Sequence, residues 1–337
     1  MSNEVKKTEY KTQLVKANET YLGMIEGQLE NHSITMTEYA KVCVVNAISA
    51  INDLLVSNGL TFNSPELDTS SFTTALMTAA TLQLNAKAAN RELYFQIRNK
   101  KVKENGVDVW KKQLEWGIEG DGWESLISKF GRNIEKVYPF WLVRSGDKYT
   151  PPKHKGVEFI PPEWEETGVG EVVRVVYPIL YTDGTITFHT CEKDEVLKNL
   201  YAHVNQNLMN ETFGLCADRR NAKPEEIAKI AEKKREILDS VQAKGWEALD
   251  DAELSKYISP SWTEYHSRES MIIRKMRNRI CKQIPKDFGS SYVSETYNRT
   301  TDDIYVSAVE RIENNSGVEL LDGKTDASES NEVNPNF

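Results

Sequence analysis

The stretch from Arg91 to Arg132 admits few folds. Leu93, Phe95 and Ile97 alternate with Tyr94, Gln96 and Arg98, the period of a half-buried strand. Lys103-Glu-Asn-Gly106 follows, and Asn-Gly supplies residues that tolerate the positive φ of a tight turn. Val107 to Trp116 can then return as a second strand. Gly117, Gly120 and Gly122 interrupt it, and Trp123, Leu126, Ile127 and Phe130 mark one face of a short helix. The stretch predicts a hairpin, a glycine elbow and an amphipathic helix. It also carries Arg91, Arg98, Lys100, Lys101, Lys103, Lys111, Lys112, Lys129 and Arg132, a dense basic set in a chain of net charge −9.

The remaining segments build around this one. Residues 1–33 are polar and predict a short helix or an ordering arm. Thr35-Met-Thr-Glu38 resembles a capping box, and Val44, Ile48, Ile51 and Leu55 line a helix that ends near Asn58-Gly59. After a loop, Ser71 is a candidate N-cap for a second helix through Leu84. Ile134 to Val143 predicts one strand, and the Pro- and Gly-rich residues 145–169 an irregular excursion. Val172 to Leu180 and Thr185 to Thr190 flank Asp183-Gly184, the strongest hairpin signal in the chain. Glu192 to Gln206 returns to helical spacing. Residues 215–258 predict a helical insert. Trp262 to Ile284 predicts a long helix with Ile272, Met276 and Ile280 buried and Arg268, Lys275, Arg279 and Lys282 as a basic stripe beside them; Pro285 stops it. From residue 311 the composition predicts a disordered acidic tail. The tail removes most of the charge imbalance: from Glu310 onward seven acids and two bases give −5, leaving −4 for residues 1–309.

Composition excludes several classes. No apolar run approaches the ~20 residues of a membrane span, and no secretory signal is visible at the start. Cys43, Cys191, Cys216 and Cys281 are far apart and form no zinc-ligand spacing, so the expectation is no metal site, buried thiols and a reducing cytoplasm. Gly317 to Thr325 imitates a phosphate loop but places five residues between its glycines where that loop has four, and it follows no strand. This argues against ATP-driven chemistry. The three elbow glycines are no dinucleotide fingerprint, since no βαβ unit surrounds them. Glu115, Glu119, Asp121 and Glu124 raise the alternative of a metal-dependent nuclease, which needs carboxylates converging on ions; four acids in a turn are more often a solvated surface.

The two basic clusters carry the positive signal. A single lysine on a strand is usually solvated, but several cations along one track with aromatics beside them suit a nucleic-acid backbone. Lys100 and Lys101 belong to that track, and Tyr94, Trp110 and Trp116 are candidate stacking platforms.

Several blocks, in the same order, resemble the RecT family of phage and prophage single-strand annealing proteins, related to the Redβ group. Ser71 to Asn85 resembles its Ala-rich helix with a Leu-Asn ending, and Glu92 to Arg98 the strand that follows. Gln113 to Gly131 resembles its strand, glycine turn and helix, Glu171 to Thr190 its later hairpin, Glu192 to Asn205 the next helix, and Trp262 to Pro285 its closing segment. The resemblance implies an α+β fold, a curved antiparallel sheet with packed helices, over an annealing domain at 34–310. It implies ATP-independent binding of single-stranded DNA and annealing of complementary strands in recombination, with no bond chemistry, no cofactor, and Mg2+ at most modulating DNA binding. Implied partners are single-stranded DNA, further copies in a ring or helical filament, a phage-encoded exonuclease and a host single-strand binding protein, with no membrane, in the cytoplasm of a bacterial host. The matching basic positions, Arg98, Lys112, Lys129, Arg132, Lys275, Arg279 and Lys282, are then expected at phosphates. Residues 145–169 and 215–258 have no counterpart in the resemblance. A self-assembling structural phage protein is the remaining alternative.

Overall fold

A computed structural model describes residues 12–104, 107–217 and 219–298. The first eleven residues of the expected arm, the Asn105-Gly106 turn and the acidic tail expected from residue 311 lie outside the described residues. The chain divides into two units, Met1–Lys193 with Ile273–Asp302, and Asp194–Ile272 with Asp303–Phe337. The fold is α+β, with several small sheets whose pairings are almost all antiparallel.

The first unit opens with helix α1 (Gln13–Asn31) and helix α2 (Glu38–Ser57). Thr37 caps α2 by accepting from the Ala40 amide at 3.1 Å, two residues beyond the Thr35 expected from the sequence. Ala40, Cys43, Val44, Ala47, Ile48, Ile51 and Leu55 are buried at helical spacing. Among the described residues α2 alone is long and apolar enough to cross a membrane; its buried stripe packs instead on α1 and on α3 (Ser70–Thr81), which a two-residue strand, β1 (Leu67–Asp68), precedes. Ser71 sits inside α3 and ties it to the sheet. Its hydroxyl donates to the Asp68 carbonyl at 2.6 Å and accepts from the Leu114 amide at 3.1 Å.

Strands β2 (Leu93–Glu104) and β3 (Val107–Ile118) form the long hairpin, in register from Leu93↔Ile118 to Glu104↔Val107. Helix α4 (Gly120–Phe130) buries Trp123, Leu126 and Ile127. The elbow needs its glycines because its own chain fills the space above them. A Cβ on Gly117 would stand 2.4 Å from the Tyr94 ring, on Gly120 2.7 Å from the Arg274 stem, and on Gly122 2.3 Å from the Glu92 carbonyl oxygen.

A four-stranded sheet follows. The strand expected over 134–143 is two, β4 (Ile134–Val137) and β5 (Trp141–Arg144), separated at Pro139, which has no amide for a ladder. The expected irregular excursion is instead two nested antiparallel ribbons: β6 (Lys148–Thr150) and β7 (Lys153–Lys155), then β8 (Glu158–Ile160) and β9 (Glu163–Glu165), with β7 pairing β8 inside β6 pairing β9. Asp147 closes their neck, accepting from the Arg144 and Thr167 amides, the Thr167 hydroxyl and the Trp164 indole at 2.8–2.9 Å. Strand β10 (Val172–Tyr181) lies at the centre, pairing β4 and β5 on one side and β11 (Ile186–Glu192) on the other. Gly184 takes φ 82° in the β10–β11 turn, as the Asp-Gly signal requires.

In the second unit, helix α5 (Leu197–Asn207) packs on α6 (Pro224–Lys244), which lies within the expected insert. Trp262, in the short α7 (Pro260–Thr263), lies between the rings of Trp246 and His203. The Arg219 guanidinium and Lys234 ammonium both donate to the Met209 carbonyl, at 2.6 and 2.8 Å, where the helical run after α5 ends. The unit boundary falls within helix α8 (Tyr265–Gln283).

Replacing Gly122 with Ala forces its Cβ into the Glu92 carbonyl and should cost about 1–3 kcal/mol, read as a lower urea midpoint. Asp147 gives a pH signature. Its four donors hold its carboxyl well below the usual range, backbone amides first among them. A carboxyl so depressed adds stability above its unfolded pKa of about 4 and loses it as the pH falls towards the folded value. Proteolysis of residues 148–166 should therefore accelerate below about pH 4, and Asp147→Asn should already be sensitive at neutral pH.

Candidate nucleic-acid interface

Residues opposite each other in an antiparallel ladder share a face. One face of the β2–β3 hairpin carries Tyr94, Gln96, Arg98 and Lys100 against Gly117, Glu115, Gln113 and Lys111. The other carries Phe95, Ile97, Asn99 and Lys101 against Trp116, Leu114, Lys112 and Trp110. The half near the elbow packs inward. The far half carries the cations, and it sets Lys100 directly opposite Lys111, a like-charged pair that opposes the ladder.

The individual side chains divide into tied and presented ones. The Arg98 Nε lies 2.6 Å from the Glu115 carboxylate, and Lys111 donates to the Pro65 carbonyl at 3.0 Å. Lys112 is half-buried, its amide donating to the Glu66 carbonyl at 2.7 Å. Lys100 and Lys101 are exposed, and the Lys101 ammonium stands 5.5 Å from the centre of the Trp110 ring. The three aromatic candidates have different fates. Tyr94 lies across Gly117, Trp116 is half-buried opposite Phe95, and Trp110 is 55% exposed.

Helix α8 brings a second set to the elbow. Within the first unit, the Arg274 stem packs on Gly120 and its guanidinium lies 3.8 Å from Glu119. Arg91, at the foot of the hairpin, meets the same carboxylate at 3.3 Å. Burial, then the charges of Arg274 and Lys282, push the Lys275 pKa down, and only Glu119 opposes them. Arg274, Lys275 and Lys282 therefore form one cationic group beside the hairpin's base. Lys282 also stands 4.5 Å over the Trp123 ring, and Arg279 is half-buried. Arg132 is exposed. Lys129 faces inward: it donates to the Gln83 carbonyl at 2.5 Å, lies 4.7 Å from the Tyr39 ring, and burial lowers its pKa. Arg268, in the second unit, makes a two-pronged pair with Asp250.

The four acids of the elbow are held by arginines. Glu115 takes Arg98, Glu119 takes Arg91 and Arg274, and Asp121 and Glu124 share Arg277 at 2.7 and 2.6 Å. Tyr177 completes that last group, donating to Glu124 at 2.5 Å and accepting from the Arg277 Nε at 2.9 Å. Among the described residues no group of three His, Cys, Asp or Glu converges to hold a metal ion. Sequence reasoning missed Arg274 and Arg277. A signal was available for Arg277: it falls in line with Ile273, Ile280 and Ile284, and an arginine inside an apolar stripe needs a partner.

Comparison with family models, curated proteins and solved structures finds no match to this chain.

Removing the Arg277 side chain by an Arg277→Met change leaves Asp121 and Glu124 facing each other half-buried. We expect a loss of about 2–3 kcal/mol in urea unfolding, with Glu124→Gln in the same background recovering part of it.

Proposed function

We propose that the chain binds single-stranded DNA and anneals complementary strands without ATP. The observation that carries this reading is the far half of the hairpin, where exposed Lys100 and Lys101 stand beside exposed Trp110, with Lys111 and Lys112 on the neighbouring strand. Several exposed cations along one track with a ring beside them suit a phosphodiester backbone. The Arg274, Lys275 and Lys282 group at the hairpin's base extends the same polarity. Arg98, Lys112, Arg132 and Arg279 serve as flanking cations, and Lys129 acts through the packing of α4.

The mechanism is electrostatic. Lysines neutralise phosphates and release counterions, while the bases stay outward for a second strand to test. Trp110 gives one base a stacking surface. No bond is made or broken, so no catalytic residue, nucleotide or metal is needed, although Mg2+ competes for the phosphates. The resemblance to the RecT family supplies the remainder of the proposal: a curved sheet, copies joined head to tail in a ring or filament, an exonuclease that delivers the strand, contact with a host single-strand binding protein, an acidic tail and a bacterial cytoplasm. The outer edge of β2 is unpaired among the described residues, which suits contact with a further copy. No geometry favours the nuclease reading, since each elbow acid already has an arginine partner.

The test is annealing of two complementary labelled oligonucleotides without nucleotide, followed by a denaturing gel. Accelerated annealing with intact strands is expected; cleaved strands, or no acceleration, would sink the proposal. A Lys100→Gln, Lys101→Gln double variant should weaken binding and reduce the slope of log affinity against log salt by about 1.4, two contacts at about 0.7 each on a single strand.

A further inference from the structure

The nested ribbons carry a row of rings that the hairpin reading does not use. His154 and Phe159 face each other across β7 and β8, with ring centres 5.1 Å apart. Phe159 stacks on Phe188 of β11 at 6.2 Å, Phe188 meets Trp141 of β5 at 5.5 Å, and Trp141 stacks on Trp164 of β9 at 5.3 Å. Five rings thus run in one continuous row across the ribbons and the sheet. None is fully buried, whereas the core aromatics Trp123, Tyr177 and Phe72 are each at most 1% exposed. Phe159 is 38% exposed, and Val157 at the ribbon turn and Ile160 next to Phe159 also stand open.

Lys148 pairs with Glu165 at 2.9 Å and Lys155 lies opposite Glu158. Residues 148–166 carry three lysines and four glutamates, so no cation excess marks the row as a phosphate track. What it offers is ring faces. Bases have such faces whatever their sequence, and aromatic rows are a recurrent means of holding a single strand. We propose that the row from His154 to Trp164 is a second single-strand contact, one that holds nucleobases by stacking, with Phe159 as its exposed entry. The inference rests on the nucleic-acid reading above but on different residues and a different force. Its contribution is insensitive to salt, where that of the hairpin falls steeply.

Fluorescence anisotropy of the full chain with oligo-dT, and with an abasic strand of the same length, tests it. Phe159→Leu keeps an apolar side chain and loses the ring; Phe159→Tyr keeps the ring. The leucine variant should bind oligo-dT about 5-fold or more weakly, the tyrosine variant should bind it like the parent, and neither should change affinity for the abasic strand. A leucine variant that binds oligo-dT normally, or weakens on both strands alike, overturns the proposal. If the parent chain binds oligo-dT while Phe159 is indifferent, only this inference falls. If the parent binds neither strand, the annealing reading falls with it.

Discussion

Arg277 holds the first unit together at the point where its helices meet its sheet. One guanidinium bonds Asp121 and Glu124 on α4 and the Tyr177 hydroxyl on β10, and lies 4.3 Å from the Phe140 ring between β4 and β5. Burying such a charge carries a desolvation penalty, which only a well-satisfied set of partners offsets. Here two carboxylates and a phenol satisfy it, and the side chain keeps 15% of its exposure. The arrangement also fixes how α8 is rotated. With Arg277 inward, Arg274 lies along Gly120, Asn278 sets its side-chain amide against Gly120, and Lys275 and Lys282 are left on one side of the helix. The gathering of those cations is thus imposed by an ion pair on the helix's other side.

Local signals were legible where one residue type decides the backbone. Asp183-Gly184 marked the β10–β11 turn, the alternation from Leu93 to Arg98 marked β2, and the spacing of Trp123, Leu126, Ile127 and Phe130 marked α4. Boundaries were less so. Pro139 divided a strand that aromatic content alone would have run through. The ribbons over 148–165 escaped notice because each strand is three residues long and carries no period; Asp147 and the ring contacts, both long-range, hold them in place. Of the site, the basic residues were visible, but their partners were not. Nothing local says that Lys129 turns towards Tyr39 and Gln83, or that Tyr94 covers Gly117. A side chain's partner across the fold is a tertiary fact, and cations of identical sequence appearance divide accordingly into buried and presented ones.

Lysines on β2 admit a second physical role. An unpaired edge strand invites another chain to pair with it, and charged residues at the edge blunt that tendency. Lys100 and Lys101 are suited to this as well as to phosphate contact, and the two roles are compatible: a charged edge that rejects strands of protein still attracts a polyanion. Edge protection requires only charge on one strand, however. It gives no reason for an exposed Trp110 to lie beside the Lys101 ammonium, and that pairing is what separates the two explanations.

The sheet imposes a further constraint on any annealing mechanism. Side chains alternate between faces along β10, so Tyr177, bonded to Arg277, points away from Val176 and Pro178, which lie opposite Trp141 and Phe188. The ring row and the α8 cations therefore occupy opposite faces of one sheet. A base stacked on a ring gains about 1–3 kcal/mol, comparable with the ~1.4 kcal/mol of a duplex stacking step. A protein that stacked every base would compete with the pairing it is meant to promote. An annealing protein must keep most bases unstacked and hold the strand by its phosphates, which pairing does not disturb. On the proposed function, five rings at one place and cations at two others would meet that requirement: the rings would retain a strand at a single point, and the lysines would carry the length over which complementarity is tested.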